Sequence, residues 1–124
     1  MTDTKNIILI IEDDHALQSI YLEKFTQEGF TVRQGFTGQQ GLILAHAEKP
    51  DIILLDVMLP EGMNGFDVME QMKRDVVLAT VPVIVFTNLD SEMNVAKSMG
   101  AIDYVVKANT SIEELVSKVK SHLK

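Results

Sequence analysis

The sequence predicts an α/β domain built on a parallel sheet, and three observations lead there. Apolar runs of strand length recur along the chain, longer segments of helical spacing separate them, and two of the runs close on carboxylates. Strands are expected at 7–11, 30–34, 51–56, 81–86 and 102–106, and helices at 15–28, 38–48, 65–75, 91–99 and 111–123. Five strands and five helices fit one domain.

Taken in order, the run 7–11 is wholly apolar and stops at Glu12, Asp13 and Asp14. Asp14 is placed to cap the first helix, because a short acid accepts from the free backbone N–H groups of a first turn. Gly29 stops that helix, Pro50 follows the second, and strand 51–56 closes on Asp56. On the third helix Met69 and Met72 read as face packing rather than as a cofactor box. Thr87 ends the fourth strand, Gly100 ends the fourth helix and Lys107 ends the fifth strand. The last helix is the clearest: Ile112, Leu115, Val116, Val119 and Leu123 form one stripe, and Ser111 with Glu114 makes a capping box.

Composition narrows the function classes. The 124 residues suit a single domain spanning 1–124, with one core and no linker, repeat or low-complexity tract. No cysteine is present, which excludes a disulfide framework, a thiolate metal site and a cysteine nucleophile. No signal pattern or membrane-length apolar run occurs, so a cytoplasmic protein without membrane insertion is expected. Eighteen acids against eleven Lys and Arg give a formal charge of −7, which disfavours direct nucleic-acid binding. Lys118, Lys120 and Lys124 fall in the last turns of the final helix and are read as complementing its dipole. His15, His46 and His122 lack ligand spacing and are expected to face solvent.

If the first and third strands are neighbours in a parallel sheet, Glu12, Asp13 and Asp56 meet at its C-terminal edge, where open α/β sheets bind ligands. Such a cluster calls for a cation, and Mg²⁺ binds through one or two carboxylates while keeping waters and bridging to phosphate oxygens. Asp56 is then a nucleophile toward a phosphoryl group, with Asp13 on the metal and Glu12 helping through water. Lys107 is placed to contact one phosphoryl oxygen and the Thr87 hydroxyl another, which is the positioning and charge neutralisation that phosphoryl transfer requires. Singly, each residue has a plain reading: Asp56 as a turn aspartate, Thr87 as a strand-end residue, Lys107 as a surface charge. Their combination at successive strand ends is what carries the signal.

That order of acidic pair, Asp, Thr and Lys resembles the receiver domain of two-component response regulators, and the resemblance covers the whole chain. Met58, Leu59, Pro60 and Gly65 beyond Asp56 also look like this family. The resemblance implies a flavodoxin-like, doubly wound five-stranded parallel sheet in the order 2-1-3-4-5. It implies Asp56 as phosphoacceptor from a histidine kinase or phosphotransfer protein, and Mg²⁺ on Asp13, Asp56 and the backbone carbonyl of Met58. It implies Tyr104 as a switch residue moving with Thr87, a downstream protein target, and a protein that catalyses only its own modification.

Several positions depart from the family pattern. The loop 59–65 is one residue longer than usual, and Asn88 stands where a smaller residue is common. The interval from Thr87 to Lys107 is short, which bears on the fourth helix, and Ala108 replaces the customary proline. Family members with that proline hold a cis bond, and a cis peptide is expected here too, since Lys107 must still approach Asp56. Three other functions are weighed. An aspartate-nucleophile phosphatase would need an aspartate two residues beyond the nucleophile, where Met58 stands. A flavodoxin-like nucleotide binder would need a phosphate loop where Glu12, Asp13 and Asp14 repel one. A receiver-shaped module that is never phosphorylated would not need the intact constellation.

Overall fold

The computed structural model describes residues 5–60, 62–89 and 91–123. Five parallel strands, β1 (Ile7–Ile11), β2 (Thr31–Gly35), β3 (Ile52–Leu55), β4 (Val83–Thr87) and β5 (Asp103–Val106), form one sheet in the order β2-β1-β3-β4-β5. The helices α1 (His15–Gln27), α2 (Gly38–Glu48), α3 (Gly65–Lys73), α4 (Met93–Ser98) and α5 (Ile112–Ser121) cover both faces. No helix among the described residues is long and apolar enough to cross a membrane.

The two-residue period of the strands divides the core into two layers. Ile8, Ile10, Ile52, Leu54, Ile84, Phe86 and Val105 face Tyr21 and Phe25 of α1 and Leu115, Val116 and Val119 of α5. Leu9, Ile11, Ile53, Leu55, Val83 and Val85 face the opposite layer, against Ala45 of α2, Val68, Met69 and Met72 of α3, and Ala96 of α4. Covered on both sides, β3 is wholly apolar, as strands of a parallel sheet are. Met69 and Met72 are core residues, as their spacing predicts.

Element ends differ from expectation for local reasons. Asp75 accepts from the N–H groups of Val77 and Leu78 and so supports the entry to a short 3-10 turn at Leu78–Thr80, which carries the chain out of α3 and delays β4 to Val83. Helix α4 is six residues long, begins without a side-chain cap and ends before Gly100, whose φ of 100° closes it. The short interval from Thr87 to Lys107 is thus taken up in that helix. Helix α5 opens with the Ser111 and Glu114 capping box. Lys118 and Lys120 of its last turn also pair with Asp103 and Glu28, while Lys124 lies outside the described residues.

Candidate functional site

In the sheet order the chain direction of winding reverses between β1 and β3, and this crevice receives the acids. Ile11 lies opposite Leu55, so the next residues of both strands, Glu12 and Asp56, emerge side by side. The Asp56 N–H donates to the Ile11 carbonyl (3.0 Å) and the Glu12 N–H to that of Gly35 (3.0 Å), extending the sheet through both acids. Carboxylate oxygens of Glu12, Asp13 and Asp56 all come within 4.8 Å of one another, with Glu12 and Asp56 buried and Asp13 exposed.

Lys107 reaches this cluster from the end of β5. Its ammonium donates to Asp56 Oδ2 at 2.7 Å and to Glu12 Oε1, and lies 5.4 Å from the centroid of the Phe86 ring. Burial pulls the Lys107 pKa down, but the bonds and charges of Asp56 and Glu12 outweigh it and hold the amine above its ordinary range. Burial pushes the Glu12 carboxyl up, and its bonds to Lys107 and the Asp14 N–H offset only part of that. The other Asp56 oxygen accepts from the Met58 N–H (2.9 Å). Three carboxylates against one ammonium leave two negative charges when all are ionised, the charge a divalent cation balances, so the donor set fits a hard oxygen-liganded ion.

The other expected residues fall around this centre. Asp14 is not part of the carboxylate cluster and caps α1, its carboxylate accepting from Leu17 N–H (3.0 Å). Thr87 is fully buried at the end of β4, and its hydroxyl accepts from Leu89 N–H (3.4 Å). Tyr104 on β5 is half-buried and donates from its hydroxyl to the Leu89 carbonyl. The Met58 side chain is exposed at the rim, and in the loop 59–65 Glu61 lies outside the described residues. His15, His46 and His122 are exposed as expected, stacked on Phe36, paired with Asp75 and bonded to Asp103 respectively.

One expectation is corrected. No cis peptide occurs among the described residues, so the bond from Lys107 to Ala108 is trans. Lys107 opens a short 3-10 turn, Lys107–Asn109, and its long side chain spans to Asp56 without the isomer a proline would favour.

A residue the sequence reading missed holds the acidic loop. Gln18 is 1% exposed, and its amide nitrogen donates to the carbonyls of Ile10 (3.0 Å), Glu12 (3.1 Å) and Gly35 (3.0 Å), while Gln34 donates to its oxygen (2.9 Å). Its signal was available: Gln18 is in phase with Tyr21 and Phe25 on the buried face of α1, where a polar side chain needs partners.

The sequence matches the response regulator receiver domain over residues 8–120. The chain belongs to that family. This receiver domain is 40% identical over 102 residues to the transcriptional regulatory protein AfsQ1 of Streptomyces coelicolor, covering 81% of this chain and 44% of that protein. It is 34% identical over 119 residues to the DNA-binding dual master transcriptional regulator RpaA of Synechocystis, covering 94% and 48%. The chain thus spans about half the length of the curated relatives it matches. Among solved structures it resembles the BeF3-activated N-terminal receiver domain of Klebsiella pneumoniae RstA, with a TM-score of 0.85 at 30% identity over 96% of this chain and 99% of that one. The Vibrio cholerae chemotaxis protein CheY4 shares the fold, with a TM-score of 0.88 at 20% identity over 97% and 100%. The receiver domain is a phosphorylation-controlled switch of two-component signalling.

Proposed function

We propose that Asp56 is the phosphoacceptor of this receiver domain and that Thr87, Lys107 and the acids at the end of β1 serve its phosphorylation. The observation that carries this reading is the placement of the Asp56 carboxylate: nearly buried, 2.7 Å from the Lys107 ammonium, and clustered with Glu12 and Asp13 at the crevice of the sheet. An Asp56 oxygen attacks phosphorus, the P–N bond of a phosphohistidine breaks, and the leaving imidazole nitrogen keeps the electron pair. Lys107 moves from carboxylate to phosphoryl oxygen as a point charge, and the Thr87 hydroxyl turns to donate to a second oxygen.

Asp13, Asp56 and the backbone carbonyl of Met58 would hold Mg²⁺, with Glu12 acting through water. When bound, the ion offsets repulsion between the anionic carboxylate and the anionic phosphate. The phosphodonor is a histidine kinase or histidine phosphotransfer protein, and the modified surface is read by a protein target. The chain's acidity, with a formal charge of −7, supports signalling through protein and not through nucleic acid directly. Residues 1–124 act as one cytoplasmic receiver unit whose only catalysis is on its own phosphoryl group.

The test is phosphorylation by phosphoramidate with Mg²⁺, read by intact mass. The wild type gains one phosphoryl group and Asp56→Asn gains none; equal incorporation in both would show that the acceptor lies elsewhere.

A further inference from the structure

Two departures from the family pattern, Asn88 and Ala108, meet in the structure. The Ala108 N–H donates to the Asn88 side-chain oxygen at 3.1 Å. The last paired residues of β4 and β5 are Thr87 and Val106, so this bond lies just past the end of the backbone ladder. It joins the two strands where their own backbone pairing has stopped. Lys107 is thereby held on both sides, by the paired Val106 before it and the tethered Ala108 after it. The peptide between Lys107 and Ala108 is trans, and Lys107 still reaches Asp56.

We propose that Asn88 is a positioning residue for Lys107, acting through the Ala108 N–H as a substitute for a conformation that proline would impose. The two positions are chemically matched. A proline at 108 has no N–H to donate, and a small residue at 88 has no oxygen to receive one. With the tether in place, the 3-10 turn Lys107–Asn109 starts from a fixed peptide, and the lysine stem leaves the backbone in the direction of the Glu12 and Asp56 carboxylates. Without it, the turn side of Lys107 keeps only the long bond from the Thr110 N–H to the Lys107 carbonyl (3.4 Å). Both partners are at the surface, so water competes for the bond and the effect is that of one hydrogen bond, graded and not all-or-none.

This inference rests on the assignment of Asp56 and Lys107 to phosphoryl transfer, and the experiment separates the two. Phosphorylation rates by phosphoramidate with saturating Mg²⁺ are compared for wild type, Asn88→Leu, Ala108→Pro and the double variant. Leucine keeps the shape of Asn88 and removes its acceptor. Asn88→Leu is expected to slow the wild type about fivefold, the scale of one net hydrogen bond, and to slow Ala108→Pro by less than about twofold, because the donor is already gone. Mg²⁺ affinity should be unchanged in Asn88→Leu, since no proposed metal ligand is touched, and exchange of the Ala108 amide proton should quicken in that variant even if the proline variant does not fold. A loss under about twofold in Asn88→Leu, or equal losses with and without proline, overturns the proposal. An amide exchange rate that Asn88→Leu leaves unchanged does so as well. Failure of the wild type to be phosphorylated, or incorporation that survives Asp56→Asn, would instead strike the assignment of the site.

Discussion

Thr87 and Tyr104 are joined through a single residue, Leu89: its N–H donates to the Thr87 hydroxyl, and its carbonyl accepts from the Tyr104 hydroxyl. A threonine hydroxyl drawn toward a phosphoryl oxygen gives up the Leu89 contact, at 3.4 Å already a long one. The loop after β4 then has a reason to move, and Tyr104 a reason to move with it. A switch requires that the modification interact differently with two states, and under the proposed phosphorylation of Asp56 the two Leu89 contacts would supply the difference.

The first prediction concerns that link. Binding of beryllofluoride, a phosphoryl mimic, is expected to shift the Tyr104 ring resonances of the wild type in NMR spectra. In Thr87→Ala the mimic binds but the ring resonances stay where they were. A shift of the same size in both proteins would mean that Tyr104 is driven by another route.

The second prediction separates neighbouring acids. Asp13 belongs to the carboxylate cluster, whereas Asp14 caps α1. Loss of one charge beside a divalent ion should lower Mg²⁺ affinity in Asp13→Asn by roughly ten- to a hundredfold. Asp14→Asn should bind Mg²⁺ nearly as well as wild type, because asparagine is an equally good cap, while Asp14→Ala should lose about 1 kcal/mol of stability. Mg²⁺ titration and urea unfolding read the two effects; equal affinity losses in the two asparagine variants would refute the division of roles.

How much of this was visible in the sequence depended on the range of the interaction. The core strands and the caps at Asp14 and Ser111 are local patterns, and the structure keeps them with shifts of a residue or two. Glu12, Asp56 and Lys107 were legible because each ends a strand, and parallel strands align their ends. The tether from Asn88 to Ala108 was not, since it depends on a side chain crossing between strands twenty residues apart in sequence. The cis expectation failed for the same reason: it took a local rule tied to proline into a place where a long-range hydrogen bond does the holding.

The third prediction tests the close approach of α3 to the Asp56 loop. A Cβ on Gly65 would lie 2.4 Å from the Asp56 carbonyl oxygen and 2.5 Å from the Val57 Cα. Both are backbone atoms that cannot rotate away. Gly65→Ala should therefore destabilise the protein by at least about 1 to 3 kcal/mol, the usual range for overpacking. The added methyl also presses on the peptide after Asp56, the proposed phosphoacceptor, so phosphorylation should slow. Urea unfolding that matched wild type would show that the loop yields more easily than its packing implies.

The last prediction is a pH dependence at the far end of β5. Burial raises the Asp103 pKa, but its bonds to His122 (3.0 Å) and the Tyr104 N–H (2.8 Å), with the charge of Lys118, outweigh it and hold the carboxyl below its ordinary 3.8. A depressed carboxylate pKa means that the unfolded chain binds its proton first as pH falls. The stabilisation is therefore complete above the unfolded value and disappears as pH drops through the lower, folded one. Asp103→Asn should lose less than about 1 kcal/mol at neutral pH, since the group is partly exposed and its ion pairs are screened. Its stability should then fall less steeply than that of wild type below about pH 4. Urea unfolding across the acid range measures both curves, and parallel curves would show that Asp103 titrates alike in the folded and unfolded chains.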